Sequence, residues 1–78
     1  MARVLLLGPA REAAGRRDDV IEGDCVGVVL KEAAARYGPG FDQVLDVSQV
    51  WVNGEPANAE TRVGPYDEIA VVPPVSGG

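Results

Sequence analysis

Two short stretches of this chain, residues 4–7 (VLLL) and 69–72 (IAVV), are apolar at every position. A strand with one wet face alternates apolar and polar side chains. One that is apolar on both faces belongs inside a sheet, commonly in a parallel pair. A length of 78 residues allows one domain with a marginal core. The hydrophobic share of 46% is that of a folded globular protein.

The rest of the pattern supplies what packs on those strands. Residues 3–8 (RVLLLG) form a first strand, ended by Gly8-Pro9. Residues 10–15 (AREAAG) fit one short turn closed by glycine, and residues 16–22 (RRDDVIE) read as a polar edge strand. Across residues 24–37, Val26, Val29, Leu30, Ala33, Ala34 and Tyr37 make one stripe of a 3.6-residue period, which predicts a helix. Asp24 or Cys25 would cap it and Gly38-Pro39 would close it. Gly27 weakens that helix by up to ~1 kcal/mol, less than burial of Val26, Val29 and Leu30 contributes at roughly 1.5–3 kcal/mol each. After a loop bearing Phe41, Val44 and Leu45, residues 49–53 (QVWVN) form a strand that breaks at Asn53-Gly54, a type I′ hairpin signal. Tyr66-Asp67 leads into the last strand, Glu68–Val72. The order is strand, strand, helix, strand, strand, an α+β arrangement. One helix covers one sheet face, so apolar surface should remain on the other and mark an interaction site.

Enzyme chemistry is mostly excluded. With no histidine there is no Ser-His or Cys-His nucleophile, and one cysteine gives neither an internal disulfide nor an ordinary zinc site. Phosphate-binding glycine loops are absent. Asp18-Asp19 reads as a solvated edge-strand turn, Cys25 as a capping or buried residue, and Arg16-Arg17 as too short for a nucleic-acid patch. Seven basic against twelve acidic residues leave a net charge of −5, which disfavours nucleic acid and anionic membranes and suits a partner with a basic groove. The opening MARVLLLGPA is too short an apolar run for a signal peptide or membrane span, so a cytoplasmic location is expected.

What remains is the end of the chain, VVPPVSGG. Gly77 and Gly78 lack a Cβ and can enter a narrow channel at any φ/ψ it demands. Pro73-Pro74 pre-sets an extended stem, lowering the entropy lost on insertion. From Pro73 to Gly78 the reach is up to ~20 Å. The tail reads as a device for placing the Gly78 carboxylate inside a partner, where it can be activated as an acyl adenylate.

These features together resemble the ubiquitin-like sulfur carriers, most closely the small subunits of molybdopterin synthase. The family ending, a Gly-Asp-Glu stretch, an apolar strand, Pro-Pro, two residues and Gly-Gly, is matched by residues 67–78, with Tyr66 standing where Gly is usual. VLLLGPAREAAG and VNG at residues 52–54 also match. The resemblance implies a β-grasp domain over residues 1–72, its first and last strands parallel at the sheet centre, and a flexible tail over 73–78. It implies no bound cofactor; ATP and magnesium would be used by an adenylating partner similar to a ubiquitin-activating enzyme. A sulfur donor protein, a cysteine desulfurase or rhodanese type, would convert adenylated Gly78 to a thiocarboxylate. The large catalytic subunit would take up the tail, and the thiocarboxylate would attack a cyclic pyranopterin monophosphate. This chain would thus be a co-substrate rather than an enzyme alone. Partner-binding residues implied are Leu7, Arg11, Pro56 and Val72, with Pro73, Pro74, Val75, Ser76 and Gly77 of the tail; core packing is the rival role for Leu7 and Val72. Carriers for thiazole, cysteine or tRNA thiolation, and ubiquitin-like modifiers of lysine, are the alternatives. GPAREAAG argues against the thiazole carriers, which usually turn there on Asn-Gly.

Overall fold

The computed structural model describes residues 2–74. Its elements run β1 (Ala2–Leu6), α1 (Pro9–Ala14), β2 (Asp18–Ile21), α2 (Val26–Tyr37), α3 (Pro39–Asp46), β3 (Gln49–Val52), β4 (Glu55–Pro56) and β5 (Glu68–Val72). One sheet has the order β2-β1-β5-β3-β4. The two wholly apolar stretches become neighbours: β1 pairs with β5 in parallel, and the other pairings are antiparallel. This is the ubiquitin-like β-grasp, with β5 in the middle of the sheet.

Register decides which side chains face the core. Ala2, Val4 and Leu6 on β1, Ile21 on β2, and Ile69 and Val71 on β5 are buried and share one face through the pairs Ala2↔Ile21, Val4↔Ile69 and Leu6↔Val71. Against them pack Ala10 of α1, Val26, Val29, Leu30 and Ala33 of α2, and Phe41 of α3. All three helices therefore lie on the same side, and the opposite face carries none of them.

Helix α3 corrects the expected loop at residues 39–46. Phe41, Val44 and Leu45 are spaced i, i+3, i+4, which is a helical stripe one turn long, and Pro39 occupies the first-turn position that tolerates it. Gly40 in that first turn hid the signal. Phe41 is fully buried and meets the Tyr37 ring edge-on, centroids 5.1 Å apart.

The start of α2 is capped differently from expectation. Cys25 holds the N-cap position, yet no side chain bonds the free amides. The chain following β4 does so instead: Val26 N donates to the Thr61 carbonyl at 2.9 Å and Gly27 N to the Ala59 carbonyl at 2.8 Å. A Cβ on Gly27 would stand 3.1 Å from that Ala59 oxygen, so glycine permits the close approach. At the β3–β4 hairpin, Asn53 (φ 51) and Gly54 (φ 83) both take the positive φ of a type I′ turn.

Candidate docking face and tail exit

The uncovered sheet face can be read row by row from the strand pairing. One row runs Asp18, Leu5, Ala70, Trp51, Pro56 across all five strands. The row toward the strand ends of β1 and β5 continues with Leu7, Val72 and Gln49, since Leu6 pairs with Val71 and Gln49 with Val72. In the opposite direction lie Val20, Arg3 and Glu68. Leu5, Ala70, Trp51 and Val72 are half-buried, while Leu7, Val20 and Pro56 are exposed. The face is apolar at its centre and polar at its edges, as interaction surfaces commonly are.

This removes one of the two roles open for Leu7. It lies just beyond β1 and is 46% exposed, so it is not a core residue. Val72 alternates with the buried Ile69 and Val71 and points away from the core. Leu7 and Val72 are neighbours; Pro56 joins them through Trp51 and Ala70. Trp51, Leu5 and Ala70 were absent from the expected patch. The alternation in QVWVN signals Trp51, because Val50 and Val52 both pack against the core and the tryptophan between them must face the other way.

Pro73 is buried and Pro74 exposed; with Val47, Gln49 and Val72 they surround a concavity of about 270 Å³. Pro73 thus packs against the domain, one residue past the expected limit at 72, and Pro74 is the first exposed residue of the stem. The remaining site residues, Val75, Ser76, Gly77 and Gly78, lie outside the described residues. Arg11, on α1, is exposed and lines a cleft beside Leu7.

The other candidates resolve as structure. Asp18-Asp19 is not a solvated turn but part of β2. Tyr37 Oη donates to Asp19 Oδ2 at 2.5 Å, with Arg36 Nη1 at 3.3 Å and Arg16 Nη1 at 3.6 Å from the same oxygen. The Tyr37 hydrogen bond holds the Asp19 carboxyl below the usual range, although partial burial works against it. Asp67 is also held low, by the Asn53 amide and the Gly64 N–H, which tie the hairpin turn to the start of β5. Cys25 is half-buried at its N-cap position. Among the described residues, no cluster of His, Cys, Asp or Glu is placed to hold a metal, and no helix is long and apolar enough to cross a membrane.

Comparison with known proteins fits this geometry. The model of the ThiS family matches residues 4–78. Among curated proteins none matches. Among solved structures, the chain is similar to SAMP1 from Haloferax volcanii, with 31% identity, 99% of this chain and 98% of that chain covered, and a TM-score of 0.81. It is similar to the small archaeal modifier protein 1 (SAMP1) from Methanosarcina acetivorans, with 28% identity, 99% and 95% covered, and a TM-score of 0.87. A putative molybdopterin converting factor, subunit 1, from Pyrococcus furiosus shares the fold at 22% identity, with 95% and 97% covered and a TM-score of 0.78.

Proposed function

Because the chain belongs to the ThiS family of ubiquitin-like sulfur carriers, we propose that it carries sulfur on Gly78 as the small subunit of a molybdopterin synthase, in the cytoplasm. In the first step an adenylating partner similar to a ubiquitin-activating enzyme, using ATP and magnesium, brings the Gly78 carboxylate onto the α-phosphorus of ATP. Pyrophosphate leaves and an acyl adenylate forms. The terminal sulfur of a donor persulfide then attacks the acyl carbon and AMP leaves, giving an acyl disulfide with the donor cysteine. A thiol attacks that cysteine's sulfur, forms a disulfide with it, and releases the thiocarboxylate. Within the large catalytic subunit, that sulfur passes to a cyclic pyranopterin monophosphate. The observation that carries this reading is the shared position of the uncovered apolar face and the tail exit. Leu7 and Val72 follow the paired residues Leu6 and Val71, and Pro73 follows Val72, so one partner surface can cover the face while drawing in the tail.

A second reading is conjugation of Gly78 to protein lysines, favoured by the 31% and 28% identities to the two SAMP1 structures. Both readings begin with the same adenylation and diverge at the nucleophile. Pyrophosphate exchange with the activating enzyme tests the shared step. Deleting Gly78, or adding one residue after it, should abolish exchange and leave thermal unfolding nearly unchanged, because a chain end beyond the last strand has few contacts to lose. Leu7→Glu should move stability by no more than ~0.5 kcal/mol, as surface changes do, while weakening partner binding. Full exchange by the Gly78 deletion would refute the proposal.

A further inference from the structure

The uncovered face is not uniform in charge. Past Leu7 the chain turns through α1 and returns as β2, and this corner gathers Arg3, Arg11, Arg16 and Arg17 out of seven basic residues in all. Two of them are neutralised in place. Arg3 Nη2 is 3.1 Å from Asp18 Oδ2, and Arg16 Nη1 is 3.6 Å from Asp19 Oδ2. Arg11 and Arg17 make no ion pair or side-chain hydrogen bond among the described residues. Both line a cleft of about 380 Å³ that also takes in Leu5, Leu7 and the Arg3–Asp18 pair. Since β1 and β5 run parallel, the cleft lies at the same end of the sheet as Val72 and the tail exit.

In a chain of net charge −5, two unpaired guanidiniums beside an apolar surface are a local reversal of sign. Guanidinium is weakly hydrated, stays charged, and matches a carboxylate with two parallel donors. We propose that this cleft seats an acidic segment of the docking partner. One carboxylate lies on Arg11 and Arg17, and an adjacent apolar side chain lies on Leu5 and Leu7. This rests on the reading that the uncovered face docks a protein, and adds the chemistry of what docks there. The rest of the chain carries the net negative charge and attracts basic groups, so a partner carrying both signs fits in one orientation and is repelled in the reverse one. That orientation sets the partner's channel at the tail exit.

The test is titration of the ¹⁵N-labelled full chain with a terminally blocked Glu-Leu-Glu-Leu peptide, followed by amide chemical shifts. Saturable shifts at Leu5, Leu7, Arg11 and Arg17 are expected. Affinity should fall roughly tenfold in an Arg11→Ala, Arg17→Ala double variant, with unchanged shifts elsewhere showing that the fold persists. It should also fall as salt rises. The absence of saturable shifts at these residues would overturn the proposal. Equal affinity for inorganic phosphate would overturn it in favour of a bare anion site, and shifts appearing with protein concentration alone would make a second copy the occupant. Neither ATP nor an activating enzyme enters this experiment, so its failure is distinct from failure of the carrier reading.

Discussion

Tyr37 and Asp19 join the outer end of α2 to β2, and their titration sets how acid and base act on the fold. Burial, with the Asp19 hydrogen bond, pushes the Tyr37 hydroxyl up to about 12. The carboxyls of Asp19 and Asp67 are held below the usual carboxylate range. A depressed carboxyl binds its proton more weakly folded than unfolded. Its contribution is therefore present above the unfolded value, near pH 4, and is lost as pH falls through the folded one. Tyr37 acts in the opposite sense: its contribution is present below the unfolded value near 10 and is lost as pH rises through about 12. Tyr37→Phe should cost about 1 kcal/mol at neutral pH, the net worth of one hydrogen bond. It should also flatten the loss of stability below pH 4, because Asp19 then titrates closer to its unfolded value. Urea unfolding of both proteins at neutral and acid pH measures this. Neither effect was legible in the sequence: Asp18-Asp19 looked solvated because its partner lies 18 residues away along the chain.

Helices and strands show where reading from sequence succeeds. The stripe from Val26 to Tyr37 survives as α2, and the last strand takes its expected bounds, Glu68–Val72. Both signals are periodic and several residues long. The same reasoning missed α3, whose stripe lasts one turn and opens on Pro39-Gly40, residues that ordinarily mark a break. It saw Gly27 only as a weakness, because the carbonyl it accommodates belongs to Ala59. The two helical glycines should therefore respond differently to alanine. At Gly40 a Cβ meets nothing within 4 Å, and Gly40→Ala should stabilise by about 0.5 kcal/mol. At Gly27 the same change crowds the Ala59 carbonyl and strains the bond capping α2, so no gain is expected. Paired thermal melts of the two variants distinguish them. A gain at Gly27 equal to that at Gly40 would show that the 57–61 segment yields freely.

Taken whole, the described residues form a sheet with helices on one side and an apolar face on the other, with Pro73 and Pro74 following the strand β5 beside that face. The sequence announced the last two features: continuous apolar strands without enough helix to cover them, and Gly-Gly behind Pro-Pro. It could not place Leu5, Ala70 and Trp51 with Leu7, Val72 and Pro56, because that grouping follows from register across strands distant in sequence. Nor could it show that, among the described residues, Arg11 and Arg17 lack the acidic partners that Arg3 and Arg16 have. The central claim is that Gly78 carries sulfur, and mass measurement of the chain isolated from its native host tests it most directly. The account predicts a C-terminal peptide in which one carboxylate oxygen is replaced by sulfur. The tryptic segment 63–78 joined through Gly78 to lysines of other proteins, with no sulfur at Gly78, would contradict it.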